Sequence, residues 1–427
     1  MKASSKISLL GAISIGIGGM VGGGIFAVLG LSVSLAKGGV PISFFVAGII
    51  ALATAYSYVK LSKTYPDKGG TVKFINEGFG IGVFSGGLNN MLWISYIIML
   101  SLYASAFGSY AASIISITGD SSIDSHIFIS AVIIISTLIN YFSIKVVGEV
   151  ESIAVIIKLI ILLAFVAVGF WGLSSNPNIS QLNVSNWESP IQLIAGGMVI
   201  FVAYEGFELI ANSAPDIANP EKNISKAYFG SVIFVILLYL SIAVVTVGSL
   251  AFSEIAAAQD YVLAEAAKPK FGQAGFTIIA IAAMISTFSA INATLLGGSR
   301  VNYEVAEDHE LPSRYTKLVW GKPLGLVTIS LASLLIANTI NLESISTSGS
   351  AGFLLIFGMV NYVGFKKHKE INANKWIAFI AFLLCMIAFV ILIVQQFQSN
   401  TIGVVAALSI FTLCFIVEWI FMKSSKK

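Results

Sequence analysis

GIGGMVGGGIF, residues 16–26, decides how this chain is read. Six of the nine residues from Gly16 to Gly24 are glycine, and the cluster sits in a run without charge from residue 7 to residue 36. A helix needs about 20 apolar residues to cross a bilayer, so this run is a candidate span. Glycine costs about 1 kcal/mol relative to alanine in a helix interior, so the helix is expected to come apart there. Backbone released at membrane depth persists only where it is buried in protein or lines a cavity. Close helix packing would also use small residues, but it places them four apart on one face. Here glycine covers every face, which favours a ligand site built from exposed amides and carbonyls.

The rest of the chain fits a membrane setting. Of 427 residues, 57% are hydrophobic and 11% charged, against about 25% charged in ordinary soluble domains. The net charge of +3 is too small to imply a nucleic-acid partner. Cys385 and Cys414 both lie in apolar runs, which argues against a disulfide framework or a cysteine metal site. His126, His309 and His368 form no metal-ligand pattern. Neither GGVPIS nor GGSR has the lysine and spacing of a phosphate-binding loop, so ATP-driven pumping is not indicated. No catalytic constellation is present, and the chain is read as a carrier without cofactor or metal and not as an enzyme.

Charge-free stretches run 7–36, 38–59, 78–119, 125–144, 227–253, 271–299, 323–342, 344–365 and 376–417. Two more apolar regions, near 152–173 and 190–214, carry isolated charges. The last stretch holds two spans about a turn at Gln395–Asn400. The stretch 78–119 fits one long helix or two short ones, and loop charge decides between them. Taken as one, it gives twelve spans with both termini cytoplasmic. Twenty of the 24 lysines and arginines then lie inside and only Lys37, Lys268 and Lys270 outside, with Lys158 in a span. Splitting it would invert the later loops and destroy this positive-inside bias. The Ala- and Glu-rich piece 252–270 is expected to form a short surface helix outside.

A second interruption lies in FVAYEGFELIANSAP, where Glu205 and Glu208 flank Gly206 and Phe207. A charge at mid-membrane costs at least about 2.5–3.5 kcal/mol, so these carboxylates need water, a cation or hydrogen-bond donors. The alternative is that this span starts late and leaves both near an aqueous surface. The interruptions fall in spans one and six, corresponding positions in two five-helix halves. Such a pair points to inverted repeats with a substrate at the bilayer midplane.

Lys158, in SIAVIIKLIILLAFVAVGF, is the one basic residue inside a span. Counted from Glu151, it lies about 10 Å deep. It either snorkels to the interface or faces the bundle, where burial eases loss of its proton. A lysine of the second kind can load and unload a proton in each transport cycle, and its ammonium can stand in for a bound sodium ion.

At these residues the chain resembles the amino acid permease type of the amino acid–polyamine–organocation superfamily. The resemblance is carried by GIGGMVGGGIF, by FVAYEGFELI followed by APDIANPEKNISKA, and by GGSRVNYEVAEDHELP after the eighth span. Lys158 resembles the lysine of the proton-coupled, sodium-independent branch. The resemblance implies an all-α membrane protein of twelve transmembrane helices. Its fold would be the leucine-transporter-type 5+5 inverted repeat with discontinuous helices 1 and 6, plus two C-terminal helices. The whole chain, 1–427, would be one transporter domain, with repeats at 1–173 and 190–365 and the added pair at 374–422. The same resemblance implies that amides of Gly22, Gly23 and Gly24 hold a substrate carboxylate. Carbonyls near Met20, Val202 and Glu205 would hold the substrate ammonium, and Tyr204 and Phe207 would gate or line the pocket. Lys158 would reach toward Gly19 and Ser286, with Ser289 the competing choice for the latter. Glu208 would stabilise helix contacts. A carboxylate at Glu205 departs from the family's frequent uncharged residue, and implies either selection of a cationic side chain or a hydrogen bond within the break.

The expected function is secondary active amino acid transport across the cell (cytoplasmic) membrane by alternating access, as a proton symporter. The expected partners are a small amino acid, the proton as coupling ion and the bilayer, with no nucleic acid and no obligatory protein partner. Amino acid exchange, sodium coupling, or a non-transporting amino acid sensor of the same fold are the rival readings.

Overall fold

The computed structural model describes residues 6–142, 144–173, 176–307, 318–319 and 322–425. Of the cations expected at the cytoplasmic side, Lys2, Arg314, Lys317, Lys426 and Lys427 lie outside these, as do residues 308–312 of the third motif. The described chain is helical throughout, apart from loops and a two-stranded ribbon pairing Leu318–Val319 with Lys322–Pro323.

The first span is a bent pair, α1 (Leu9–Met20) and α2 (Gly24–Ala36). Helix α3 (Val40–Thr64) follows, then a short amphipathic α4 (Thr71–Phe79). The ambiguous stretch forms one 32-residue helix, α5 (Val83–Ile114). Helices α6 (Ser121–Phe142) and α7 (Ile144–Leu173) complete the first half. The sixth span is α8 (Pro190–Val199), a 3-10 segment Phe201–Glu208, and α9 (Leu209–Ser213). After it come α10 (Pro220–Ser249), the short α11 (Phe252–Ala257) and α12 (Val262–Glu265), and α13 (Lys268–Glu307). The chain ends in α14 (Leu324–Thr339), α15 (Leu342–Lys366), α16 (Lys375–Ser399) and α17 (Thr401–Ser425).

Among the described residues nine helices are long and apolar enough to cross a membrane, and the two bent pairs bring the number to eleven. Helix α14 holds the place of the expected ninth of twelve spans. Its 16 residues cover about 24 Å, less than the ~30 Å of a hydrocarbon core. Large apolar side chains cover the outer faces of α16 and α17, with Ile380, Ile387, Val394, Leu413 and Ile420 exposed. Trp376 and Trp419, exposed near the ends of those helices, suit the headgroup level. The chain is an integral membrane protein.

Local sequence explains where the elements start and stop. Ser8 caps α1 through Gly11 N (3.2 Å), and Asn341 caps α15 through Ser344 N (2.8 Å). Pro190 and Pro220 open α8 and α10, where a missing N–H costs nothing. Short backbone pairings tie the first and sixth spans together at both ends. Ile7 exchanges hydrogen bonds with Asp216 O (2.8 Å) and Ala218 N (2.9 Å), and Gly38 N donates to Asn186 O (3.1 Å). The two interrupted spans therefore run antiparallel, side by side, and their breaks are brought to the same depth.

Candidate substrate site at the paired helix breaks

Both interrupted spans bend by 47°. In the first, α1 stops at Met20, Val21 leaves the helical region (φ −79°, ψ 49°), and α2 resumes at Gly24. The amides at the start of α2 lack partners within the helix and point toward its positive dipole end. The second break takes a different form. Phe201–Glu208 tightens into a 3-10 helix, whose poorer hydrogen-bond geometry marks a conformationally stressed segment.

Glycine serves both readings of the cluster. A Cβ on Gly19 would lie 2.6 Å from Gly206 O, and one on Gly24 would lie 2.8 Å from Ala203 Cα. Gly16 is equally tight against Ser231 (2.6 Å). Gly16, Gly19, Gly23 and Gly24 are thus all required for packing, and Val21, Gly22 and Gly23 form the opening itself. Gly23 faces Tyr103, whose ring would be 2.3 Å from a Cβ there.

Side chains from α10 and α13 satisfy the carbonyls freed by the break. The Tyr239 hydroxyl donates to Met20 O (2.6 Å) and lies 3.2 Å from Ala203 O, bridging the two breaks. Ser286 Oγ donates to Gly22 O (2.8 Å) and is 3.2 Å from Val21 O. The carbonyl of Met20, expected to hold a substrate ammonium, is therefore already committed. Val202 contributes differently again, since its N–H donates to Ser350 Oγ (3.1 Å).

The two carboxylates have opposite surroundings. Glu208, 1% exposed, accepts from Tyr96 (2.7 Å), Thr71 (2.8 Å) and Tyr58 (3.4 Å). It anchors α4 to the sixth span, in keeping with a structural role. Among the described residues Glu205, 6% exposed, accepts only from Tyr103 (3.3 Å), and its Oε2 is buried with no partner. It lines a cavity of about 20 Å³ with Gly18, Gly19, Tyr96, Tyr103 and Ser289 among its walls, room for about one water.

Lys158 does not snorkel. It is 1% exposed, and its Nζ donates to Gly18 O at 3.1 Å. The contact falls one residue before the expected Gly19. Ser286, expected near it, bonds the opening instead, and Ser289 lines the cavity beside Gly18 and Gly19. Tyr204 and Phe207 do not line this cavity. The Tyr204 hydroxyl donates to Phe44 O (3.0 Å), and Phe207 packs against Tyr58, Tyr228 and Phe357. Both belong to the aromatic core behind the site.

Three tyrosines of the site escaped the sequence reading: Tyr96, Tyr103 and Tyr239. A signal was available. Tyr96, Tyr103 and Tyr110 recur every seven residues in α5, on one face, and meet Glu208, Glu205 and Phe26 O in turn.

Residues 7–425 match the amino acid permease family. The chain is 32% identical over 430 residues to an uncharacterized protein of Methanocaldococcus jannaschii, covering 99% of this chain and 97% of that one. It is 30% identical over 427 residues to the inner membrane transport protein YbaT of Escherichia coli, with 99% and 97% covered. It is 27% identical over 318 residues to the serine/threonine exchanger SteT of Bacillus subtilis, with 72% and 69% covered. Matched from the first break to the last helix, the chain belongs to the amino acid permease family of the amino acid–polyamine–organocation superfamily.

Proposed function

We propose that this protein is a proton-coupled amino acid symporter of the cytoplasmic membrane, working by alternating access around the paired breaks. The substrate carboxylate binds the amides of Gly22, Gly23 and Gly24 at the start of α2, and its ammonium sits on main-chain carbonyls of the 3-10 segment near Val202 and Glu205. The two repeats, 1–173 and 190–365, rock against each other, and the termini face the cytoplasm. The proton is the coupling ion, and no cofactor is required.

The observation that carries this reading is the buried contact of the Lys158 ammonium with Gly18 O, 3.1 Å away. A charged amine at that depth holds the end of α1 by a charge-assisted bond. Loss of its proton weakens that bond and frees α1 to move, which links proton occupancy to the opening. The same ammonium takes the place of a metal cation, which favours proton over sodium coupling.

The Bacillus relative is named an exchanger, which favours obligatory exchange as the second reading. Uptake of a labelled amino acid mixture into sodium-free proteoliposomes separates the two. Accumulation driven by an inward proton gradient supports symport. Flux seen only after preloading with amino acid overturns it in favour of exchange.

A further inference from the structure

Glu205 has a feature that binding the common part of an amino acid does not require. Among the described residues its second carboxylate oxygen is buried and unpartnered, and it belongs to a side chain lining a small cavity. A buried carboxylate held by a single 3.3 Å bond from Tyr103 is costly unless a partner arrives. Among the described residues no lysine or arginine lies within salt-bridge distance of Glu205, and Lys158 is turned to Gly18 O.

The rest of the lining shows which partner fits. Gly18 and Gly19 belong to the carbonyl end of α1, the negative end of its dipole. Ser289 and Thr294 add hydroxyls from α13. The Tyr96 and Tyr103 hydroxyls already donate to Glu208 and Glu205. Among the described residues the cavity lining therefore offers as acceptors the second Glu205 oxygen and the hydroxyls of Ser289 and Thr294, while the Lys158 ammonium beside it is committed to Gly18 O, so it suits a compact cation better than an anion. Its volume, about 20 Å³, matches one water-sized group. An ammonium is that size, whereas a guanidinium is a planar group of four heavy atoms.

We propose that Glu205, Ser289 and Thr294 form a subsite for the terminal primary ammonium of a substrate side chain. The protein then prefers lysine- or ornithine-like substrates to arginine and to apolar chains of equal length. This rests on the transport reading above, with the backbone ends of the substrate held at the opening.

The test uses the full-length protein in sodium-free proteoliposomes, with labelled alanine uptake competed by lysine, ornithine, arginine and norleucine. Norleucine has the lysine chain without its amine. The expected result is that lysine and ornithine compete at least tenfold better than norleucine and arginine. That preference should fall at least tenfold in Glu205→Gln and be partly retained in Glu205→Asp, which keeps the charge. Equal competition by lysine and norleucine in the wild type, or the same preference in Glu205→Gln, overturns the subsite while leaving alanine transport standing. Stimulation of alanine uptake by added sodium that disappears in Glu205→Gln also overturns it, assigning the cavity to a metal cation. Absence of any amino acid uptake in the wild type overturns the transport reading itself.

Discussion

Gly19 and Gly206 meet backbone to backbone, one in each interrupted span. A Cβ added to Gly206 would stand 2.1 Å from the Gly19 carbonyl carbon and 2.5 Å from Met20 N. No side chain there can swing aside, because the clashing atoms are main chain. Gly206→Ala must push α1 away from the 3-10 segment. Overpacking of this kind costs about 1–3 kcal/mol, and here it also displaces the opening at residues 21–23. The expected outcome is a lower melting temperature in detergent and loss of most uptake. Gly230→Ala, where a Cβ meets only the tip of Ile13 at 3.7 Å, should melt like the wild type.

Among the described residues Tyr239 is the one side chain that bonds a carbonyl of each break, Met20 O and Ala203 O. Tyr239→Phe keeps the ring packing on Phe44 and Tyr204 and removes only the hydroxyl. Leaving a buried acceptor unsatisfied costs about 1–3 kcal/mol, so the variant should fold with reduced stability. Uptake should slow more than the melting shift alone explains, since the two breaks would move independently. Initial rates at saturating substrate, set beside the melting curve, check this; a normal rate would show that the bridge is not part of the transport cycle.

Glu208 ties three elements that are remote in sequence: α3 through Tyr58, α4 through Thr71 and α5 through Tyr96. A carboxylate accepts from all three hydroxyls at once. In Glu208→Gln the amide nitrogen can only donate, so it confronts one or two hydroxyls that must turn away. The expected loss is again about 1–3 kcal/mol, and it should be felt first at α4. Limited proteolysis between residues 64 and 71 should speed up in the variant. Unchanged cleavage would mean that α4 is held by its apolar face alone.

Much of this was legible in the chain, and the omissions have physical causes. The breaks announce themselves because glycine and carboxylate are expensive inside a span, so Gly16–Gly24 and Glu205–Glu208 stand out against their surroundings. Lys158 stands out for the same reason. Partner choice is not readable that way, because it depends on the rotation of one helix against another. A turn of one residue separates Gly18 from Gly19 as the acceptor for Lys158, and sequence spacing cannot resolve 100° of helix rotation. Tyr204 and Phe207 adjoin Glu205, but a 3-10 segment has three residues per turn, and their side chains leave on the faces turned to Phe44 and to Tyr58. Tyr239 was hidden because α10 offers only two tyrosines, Tyr228 and Tyr239, eleven residues apart, too few to set a pattern; the seven-residue series in α5 did have one.

Lys158 supplies the sharpest prediction. Its ammonium holds Gly18 O near the end of α1, within two residues of the carbonyl that Tyr239 holds. In Lys158→Ala the charge disappears for good, and α1 loses a bond that in the native protein comes and goes with a proton. The variant should still exchange preloaded for external amino acid, because the amides of Gly22–Gly24 and the Tyr239 bridge are intact. It should not accumulate substrate when the outside is acidified, since the amine whose proton makes and breaks the bond to α1 is then gone. Lys158→Arg keeps a cation that does not deprotonate, and it should likewise lose gradient-driven uptake. Both variants are read by the same pair of assays, exchange and gradient-driven accumulation. If either still concentrates amino acid on acidification, the proton travels elsewhere, and the lysine is a fixed cation that pins α1.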